Sequence, residues 1–148
     1  MHATLNHLDP AAQYGFYEGI PPKRLIAWLI DIAITAPIAL PFMLPFLMTA
    51  FLIVPLFALP VIWALVGFVY RWTTLANGSA TWGMRLMAIE LRERGGGPLT
   101  SSTALMHTLG FAFPLIQAIS VLFMARDNKG QGLTDMVLGT AMLNRAAP

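Results

Sequence analysis

The chain has 148 residues, of which 57% are hydrophobic and 11% are charged, and its formal net charge is +2. Soluble domains usually hold about 45 to 50% apolar and about 25% charged residues, so this composition excludes an ordinary water-soluble domain. The nine basic residues are dispersed and form no basic helix, so no nucleic-acid partner is expected. The absence of cysteine excludes disulfides and thiolate metal sites.

The N-terminal segment is polar and carries an aromatic cluster at 14–17, a grouping typical of the membrane-water boundary. The first 22 residues hold no Lys or Arg, so they lack the basic start of a cleavable signal peptide. We therefore expect an interfacial tail over 1–20, a membrane domain over 21–145 and a short C-terminal tail over 146–148.

No charged side chain occurs between Asp31 and Arg71. A membrane-spanning helix needs about 20 apolar residues, so this interval has room for nearly two crossings. The sequence predicts a first span from about Lys23 to Pro41 and a second from about Leu47 to Arg71. The turn between them is expected near Pro41 to Phe46.

Three shorter segments follow the two predicted spans. Residues 86–91 predict a short strand that ends in the turn 94–98. The apolar segment 103–124 is either one span or a re-entrant hairpin that turns at 113–114. Residues 136–144 are too few to span and form either an interfacial helix or a strand that pairs with the first. The predicted fold class is thus an all-α membrane protein with two transmembrane helices, a third apolar helical segment and a short cytoplasmic β pairing.

The positions of the basic residues predict the orientation in the membrane. Lys23 and Arg24 precede the first span and four arginines occupy 71–94, whereas the turn between the spans has no basic residue. By the positive-inside rule the N-terminus is cytoplasmic. A straight third crossing would place the last basic residues outside, while a returning segment keeps them inside although it is short for two crossings. The charge pattern favours the returning path.

Asp31 is the acidic residue within the first predicted span. It lies seven positions after Arg24, nearly two helical turns, so the two share one helix face about 10 Å apart. An intramembrane carboxylate costs a few kcal/mol or more, so it should face the bundle and either meet a cation or be protonated. Candidate partners are Arg85, Arg71 and His107. Both a proton- or cation-binding role and a hydrogen bond that holds the bundle together remain open.

Asp135 is the second acidic candidate. It follows the sequence Gly130-Gln131-Gly132-Leu133-Thr134 and precedes the apolar run 136–138. A carboxylate at this place is typical of a helix N-cap, where it accepts backbone N–H bonds and complements the helix dipole.

The order of these motifs resembles the RDD family of small bacterial membrane proteins, named for one arginine and two aspartates. The resemblance covers about 19–145. Arg24 and Asp31, in Lys23-Arg24-Leu25-Ile26-Ala27-Trp28-Leu29-Ile30-Asp31, look like the arginine and the first aspartate. Asp135, with Gly139-Thr140 after it, looks like the second.

Two further blocks match that family. Residues 78–85 are similar to its Thr-x-Gly block after the second helix, and Gly96-Gly97-Pro98-Leu99 to its glycine turn. The family often has basic residues in the next helix, where this chain has His107 and no charge, so a role that needs a charge there is not carried over from the family.

The resemblance implies a bacterial inner-membrane location and a shared site for Arg24, Asp31 and Asp135. Further candidates for that ion, proton or buried-pair site are Arg85, Thr81 and His107. The resemblance favours a small transporter or a cation- or proton-handling subunit. Since two spans and a hairpin can hardly enclose a path alone, we expect a homo-oligomer in the lipid bilayer or a larger membrane protein complex.

The alternative function is an accessory or assembly subunit of a larger membrane protein complex, which needs only a rigid scaffold. The sequence has no nucleophile-base pair and no metal-ligand spacing, so we expect no enzyme activity, no cofactor and no metal site.

Overall fold

A computed structural model describes residues 15–48, 53–126 and 130–145. Most of the expected N-terminal tail and the tail over 146–148 therefore lie outside the described residues. In chain order, the elements are α1 Ile20–Leu47, α2 Val54–Gly78, α3 Trp82–Leu86, β1 Ile89–Glu93, α4 Ser101–Ala112, α5 Pro114–Arg126, α6 Leu133–Leu138 and β2 Thr140–Asn144.

Helices α1 and α2 are both long and apolar enough to cross a membrane. The predicted end of the first span and the turn at 41–46 were wrong, because α1 continues through Pro37, Pro41 and Pro45 to Leu47. Each proline removes one backbone donor and crowds the carbonyl four residues earlier. Prolines are tolerated in membrane helices, where neighbouring groups and local adjustments satisfy the freed carbonyls.

The second span begins and ends later than predicted, since α2 starts at Val54 and not near Leu47. Helix α2 continues about two turns beyond Arg71 and ends at Gly78, after which Ser79 adopts a left-handed conformation with φ 54°. The Ser79 N–H donates to the carbonyl of Leu75 and closes the helix. Arg71 therefore lies inside the helix and is buried, whereas the sequence placed it at the cytoplasmic end of the span.

The third apolar segment is broken at the predicted place. Helices α4 and α5 are bent by 98° relative to each other. The break follows from Pro114, since a residue before proline avoids the helical region, and Phe113 is extended at φ −94° and ψ 113°. With 12 and 13 residues, each helix is about 20 Å long and too short to cross a membrane by itself.

The predicted β pairing is confirmed. Strands β1 and β2 are antiparallel, with Leu91 opposite Met142 and Arg92 opposite Ala141. Each strand follows a short helix and a residue of positive φ, Ala88 before β1 and Gly139 before β2. The segment 136–144 thus contains the end of a helix as well as a strand.

Contacts at both ends of the α4–α5 pair fix its path. Near the start of α4, the Trp72 ring N–H donates to the Ser101 carbonyl at 3.4 Å, which holds α4 beside the end of α2. After α5, β2 pairs with β1, and Lys23 at the start of α1 donates to Asn144 at 2.6 Å. Both ends of the pair therefore lie at the same end of the α1–α2 bundle, as the returning path requires.

Candidate functional site

Asp31 accepts hydrogen bonds from three donors on other elements. The Thr81 hydroxyl donates to Oδ2 at 2.6 Å, and the Tyr70 hydroxyl and the Gly83 N–H donate to Oδ1 at 2.7 and 2.8 Å. Thr81 is also the N-cap of α3, where its hydroxyl accepts from the Met84 N–H. Asp31 is only 8% exposed, and hydrogen bonds from the protein replace those that water would make to its carboxylate. These bonds link α1 to α2 and α3.

Gly83 explains how the Asp31 carboxylate reaches a backbone N–H. A Cβ at this position would overlap the Ala27 carbonyl oxygen and lie 2.8 Å from Asp31 Oδ1. Only a residue without a side chain allows α3 to approach the backbone of α1 this closely. The Thr-x-Gly block is therefore the docking point of α3 on α1.

Asp135 forms the second buried carboxylate centre. Arg24 donates to Oδ2 at 2.6 Å, and His107 Nε2 lies 2.8 Å from Oδ1. The Gly132 N–H also donates to Oδ2, at 3.0 Å. Asp135 is in the first turn of α6, but the N-cap is Gly132, so the predicted N-cap position was off by three residues. Its carboxylate reaches back to the N-cap backbone, which is the acidic half of a capping box.

The surroundings of Asp135 keep it charged. Burial alone would raise the pKa of the carboxyl, but the Arg24 charge and the hydrogen bond from His107 outweigh it and hold the pKa well below its usual value. A charged carboxylate only accepts hydrogen bonds, so the ring proton of His107 lies on Nε2. His107 Nδ1 is then buried without a hydrogen-bond partner among the described residues.

The expected site of Arg24, Asp31 and Asp135 is arranged as two centres around one cavity. Arg24 pairs with Asp135, whereas Asp31 is held by neutral donors and forms no ion pair with a described residue. All three side chains nevertheless line the same cavity, of about 710 Å³, to which all six helices contribute. A smaller cavity of about 220 Å³, lined by α1, α2 and α4, also reaches Asp31.

Of the three further candidates named from the sequence, two contact a carboxylate of the site and one does not. Thr81 contacts Asp31, and His107 contacts Asp135. Arg85 contacts neither carboxylate: its guanidinium lies over the Trp82 ring at 4.8 Å and donates to the Ala80 carbonyl.

Two residues of the site were not in the predicted set. Tyr70 lies within the predicted second span, and nothing in one sequence shows that its hydroxyl meets Asp31. Arg71 was considered as a partner of Asp31 but not as a site residue. It lines both cavities, is 7% exposed, and lies with Cζ 3.8 Å from the Phe111 ring centroid. The sequence feature that could have indicated Arg71 as a site residue is its position directly after a long uncharged segment.

The fold and the site together define the class of protein. Two membrane-length helices, a broken apolar helix pair and buried charged groups around a cavity are features of a multi-pass membrane protein. The RDD family model matches residues 21–139, most of the chain, and the protein belongs to the RDD family. No curated protein and no solved structure matches the chain.

Proposed function

We propose that this RDD-family protein is a small transporter or permeation subunit that handles protons, with Asp31 as the proton-binding group. The observation that supports it is the cavity of about 710 Å³ where side chains of both charges meet within the membrane domain. Ionisable residues inside membrane segments are costly, and they commonly mark the path of a solute or proton.

The hydrogen bonds of Asp31 favour a proton over a metal cation. Two of its three donors are hydroxyl groups, Thr81 and Tyr70, and a hydroxyl can accept as well as donate. A protonated carboxyl could therefore donate to one of them without breaking the contact. A metal ion would instead have to displace these donors from the carboxylate.

Size supports the oligomeric form of the proposal. Two membrane-length helices and one bent pair are few elements to surround a continuous path. Helix α2 is also largely exposed, since other parts of the described chain bury only 6% of its most apolar stretch. We propose a homo-oligomer in the bacterial inner membrane, with the N-terminus and the β pairing on the cytoplasmic side where basic residues gather.

Proton flux into vesicles containing the reconstituted protein tests this role. Asp31→Asn removes the titratable group while keeping one acceptor oxygen, so we expect it to abolish most of the flux of the wild-type protein. Glu90→Gln is the matched control, because Glu90 is paired with Arg92 at 2.6 Å on β1, outside the cavity lining. Unchanged flux in folded Asp31→Asn protein would refute the proposal.

The second candidate function is an accessory subunit of a larger membrane complex. The observation that favours it is again the exposed apolar surface of α2, which a partner could cover in place of lipid. Solubilisation in a mild detergent separates the two candidates. A folded homo-oligomer that emerges without a second protein argues against the accessory role, whereas a different membrane protein that co-purifies in a fixed ratio supports it.

A further inference from the structure

Arg71 is a buried cation for which the described residues supply no polar partner. Its guanidinium forms no hydrogen bond or ion pair with any residue in the described ranges, and its Nε is buried and unsatisfied. The contact that positions it is the face of the Phe111 ring. Leaving a charged donor unsatisfied in a buried place costs more than an ordinary lost hydrogen bond, so such a group calls for a partner.

Arg24, the other arginine that lines the cavity, has hydrogen-bond partners. Arg24 donates both to Asp135 and to the Gly130 carbonyl, each through Nη1. Asp31 does not serve Arg71 in the same way: its oxygens accept from Thr81, Tyr70 and Gly83, and it forms no ion pair with Arg71. The cavity is therefore lined by two hydrogen-bonded carboxylates, by Arg24 paired with one of them, and by Arg71, whose buried Nε meets no acceptor among the described residues.

We propose that Arg71 binds the anionic head of an organic anion, a carboxylate or a phosphate, whose apolar part occupies the cavity of about 710 Å³. The planar guanidinium matches both head groups because it can donate two parallel hydrogen bonds. This inference rests on the proposed function in using the same cavity, but it concerns binding and does not require Asp31 to exchange a proton.

The shape and lining of the cavity indicate the rest of the ligand. Its volume is in the range of pockets that hold small organic molecules and is far larger than an inorganic ion needs. The apolar lining of this cavity includes Trp28, Phe111, Val121 and Met124. Two more buried polar atoms without a partner in the described chain, His107 Nδ1 and Thr134 Oγ1, belong to residues of the same lining.

Binding of 2-naphthoate to the purified protein, measured by calorimetry in detergent, tests the inference. The neutral 2-naphthamide has almost the same shape, so we expect wild-type protein to bind the anion at least about tenfold more tightly, as a charge-assisted hydrogen bond implies. Arg71→Gln should remove that preference, and Arg71→Lys should retain part of it. Arg92→Gln is the control, since Arg92 lies on β1 and pairs with Glu90.

Equal binding of naphthoate and naphthamide by the wild-type protein would overturn the inference, and this comparison needs no variant to fold. Naphthoate binding that is unchanged in Arg71→Gln would overturn it as well. Added phosphatidylglycerol that displaces naphthoate, while phosphatidylcholine does not, would identify a lipid head group as the source of the anion. Displacement by neither lipid would identify a soluble anion. Selective binding without proton flux would refute the proposed function alone.

Discussion

Replacing Gly83 with alanine is expected to destabilise the protein by about 3 kcal/mol or more. The new methyl group would overlap the Ala27 carbonyl and press on Asp31, and both neighbours belong to the long helix α1. Overpacking a tight contact usually costs about 1 to 3 kcal/mol, and here the atom in the way is backbone and cannot rotate aside. Separating α3 from α1 would also break the hydrogen bond from Gly83 to Asp31.

The midpoint of thermal unfolding in detergent measures this effect. Gly67→Ala is the matched control, because a Cβ at Gly67 meets nothing within 4 Å and alanine favours a helix interior by about 1 kcal/mol. The two glycine-to-alanine changes should thus shift the midpoint in opposite directions. A Gly83→Ala protein as stable as wild type would mean that α3 does not dock on α1 as described.

Replacing Asp135 with asparagine is the second change with a large expected effect. Asp135 is fully buried and accepts from Arg24, His107 and Gly132. Removing one member of a buried ion pair typically costs about 3 to 5 kcal/mol, because the remaining charge keeps its desolvation cost without its partner. Glu90→Gln, at a partly exposed pair with Arg92, should cost about 1 kcal/mol or less.

The pH dependence of unfolding separates the charge of Asp135 from its shape. The pKa of Asp135 in the folded protein lies below its value of about 4 in the unfolded chain. Its contribution to stability is therefore present above about pH 4 and is lost as the pH falls toward the folded value. Below pH 4 the unfolding midpoint of wild type should approach that of Asp135→Asn. A constant difference between the two at all pH values would contradict the assignment.

The sequence was sufficient to predict a membrane protein, because a helix that spans the bilayer needs a long apolar, uncharged interval and such intervals are visible in the sequence. The break at Pro114 could be predicted as well, since proline acts on its own local backbone. The bounds of α1 could not, because Pro41 and Pro45 can each end a helix or lie within one. Whether they do depends on the environment and the packing of the helix.

Of the candidate site, the sequence allowed three charged residues to be named but not their contacts. Arg24, Asp31 and Asp135 could be named from their chemistry and from the family pattern. Their partners depend on which helix faces meet, so the pairing of Arg24 with Asp135 and the bond from Tyr70 to Asp31 are properties of the tertiary fold. The sequence placed Arg71 at the cytoplasmic end of the second span, whereas the full length of α2 places it about two turns inside the helix.

Both proposals depend most on the return of the C-terminal segment, which brings Asp135 to Arg24 and closes the cavity. The chain has no cysteine, so any disulfide that forms must join the two introduced cysteines. Arg92→Cys with Ala141→Cys places thiols on directly opposed residues of β1 and β2, within reach of a disulfide. Met48→Cys with Ala141→Cys is the control, because Met48 follows the far end of the 28-residue helix α1.

Mass spectrometry of the oxidised membranes, after digestion, then decides the path of the chain. The returning path predicts a disulfide-linked peptide pair containing positions 92 and 141, and none containing positions 48 and 141. Free thiols at 92 and 141, or a link between 48 and 141, would show that the segment crosses the membrane and that the cavity is not formed as described.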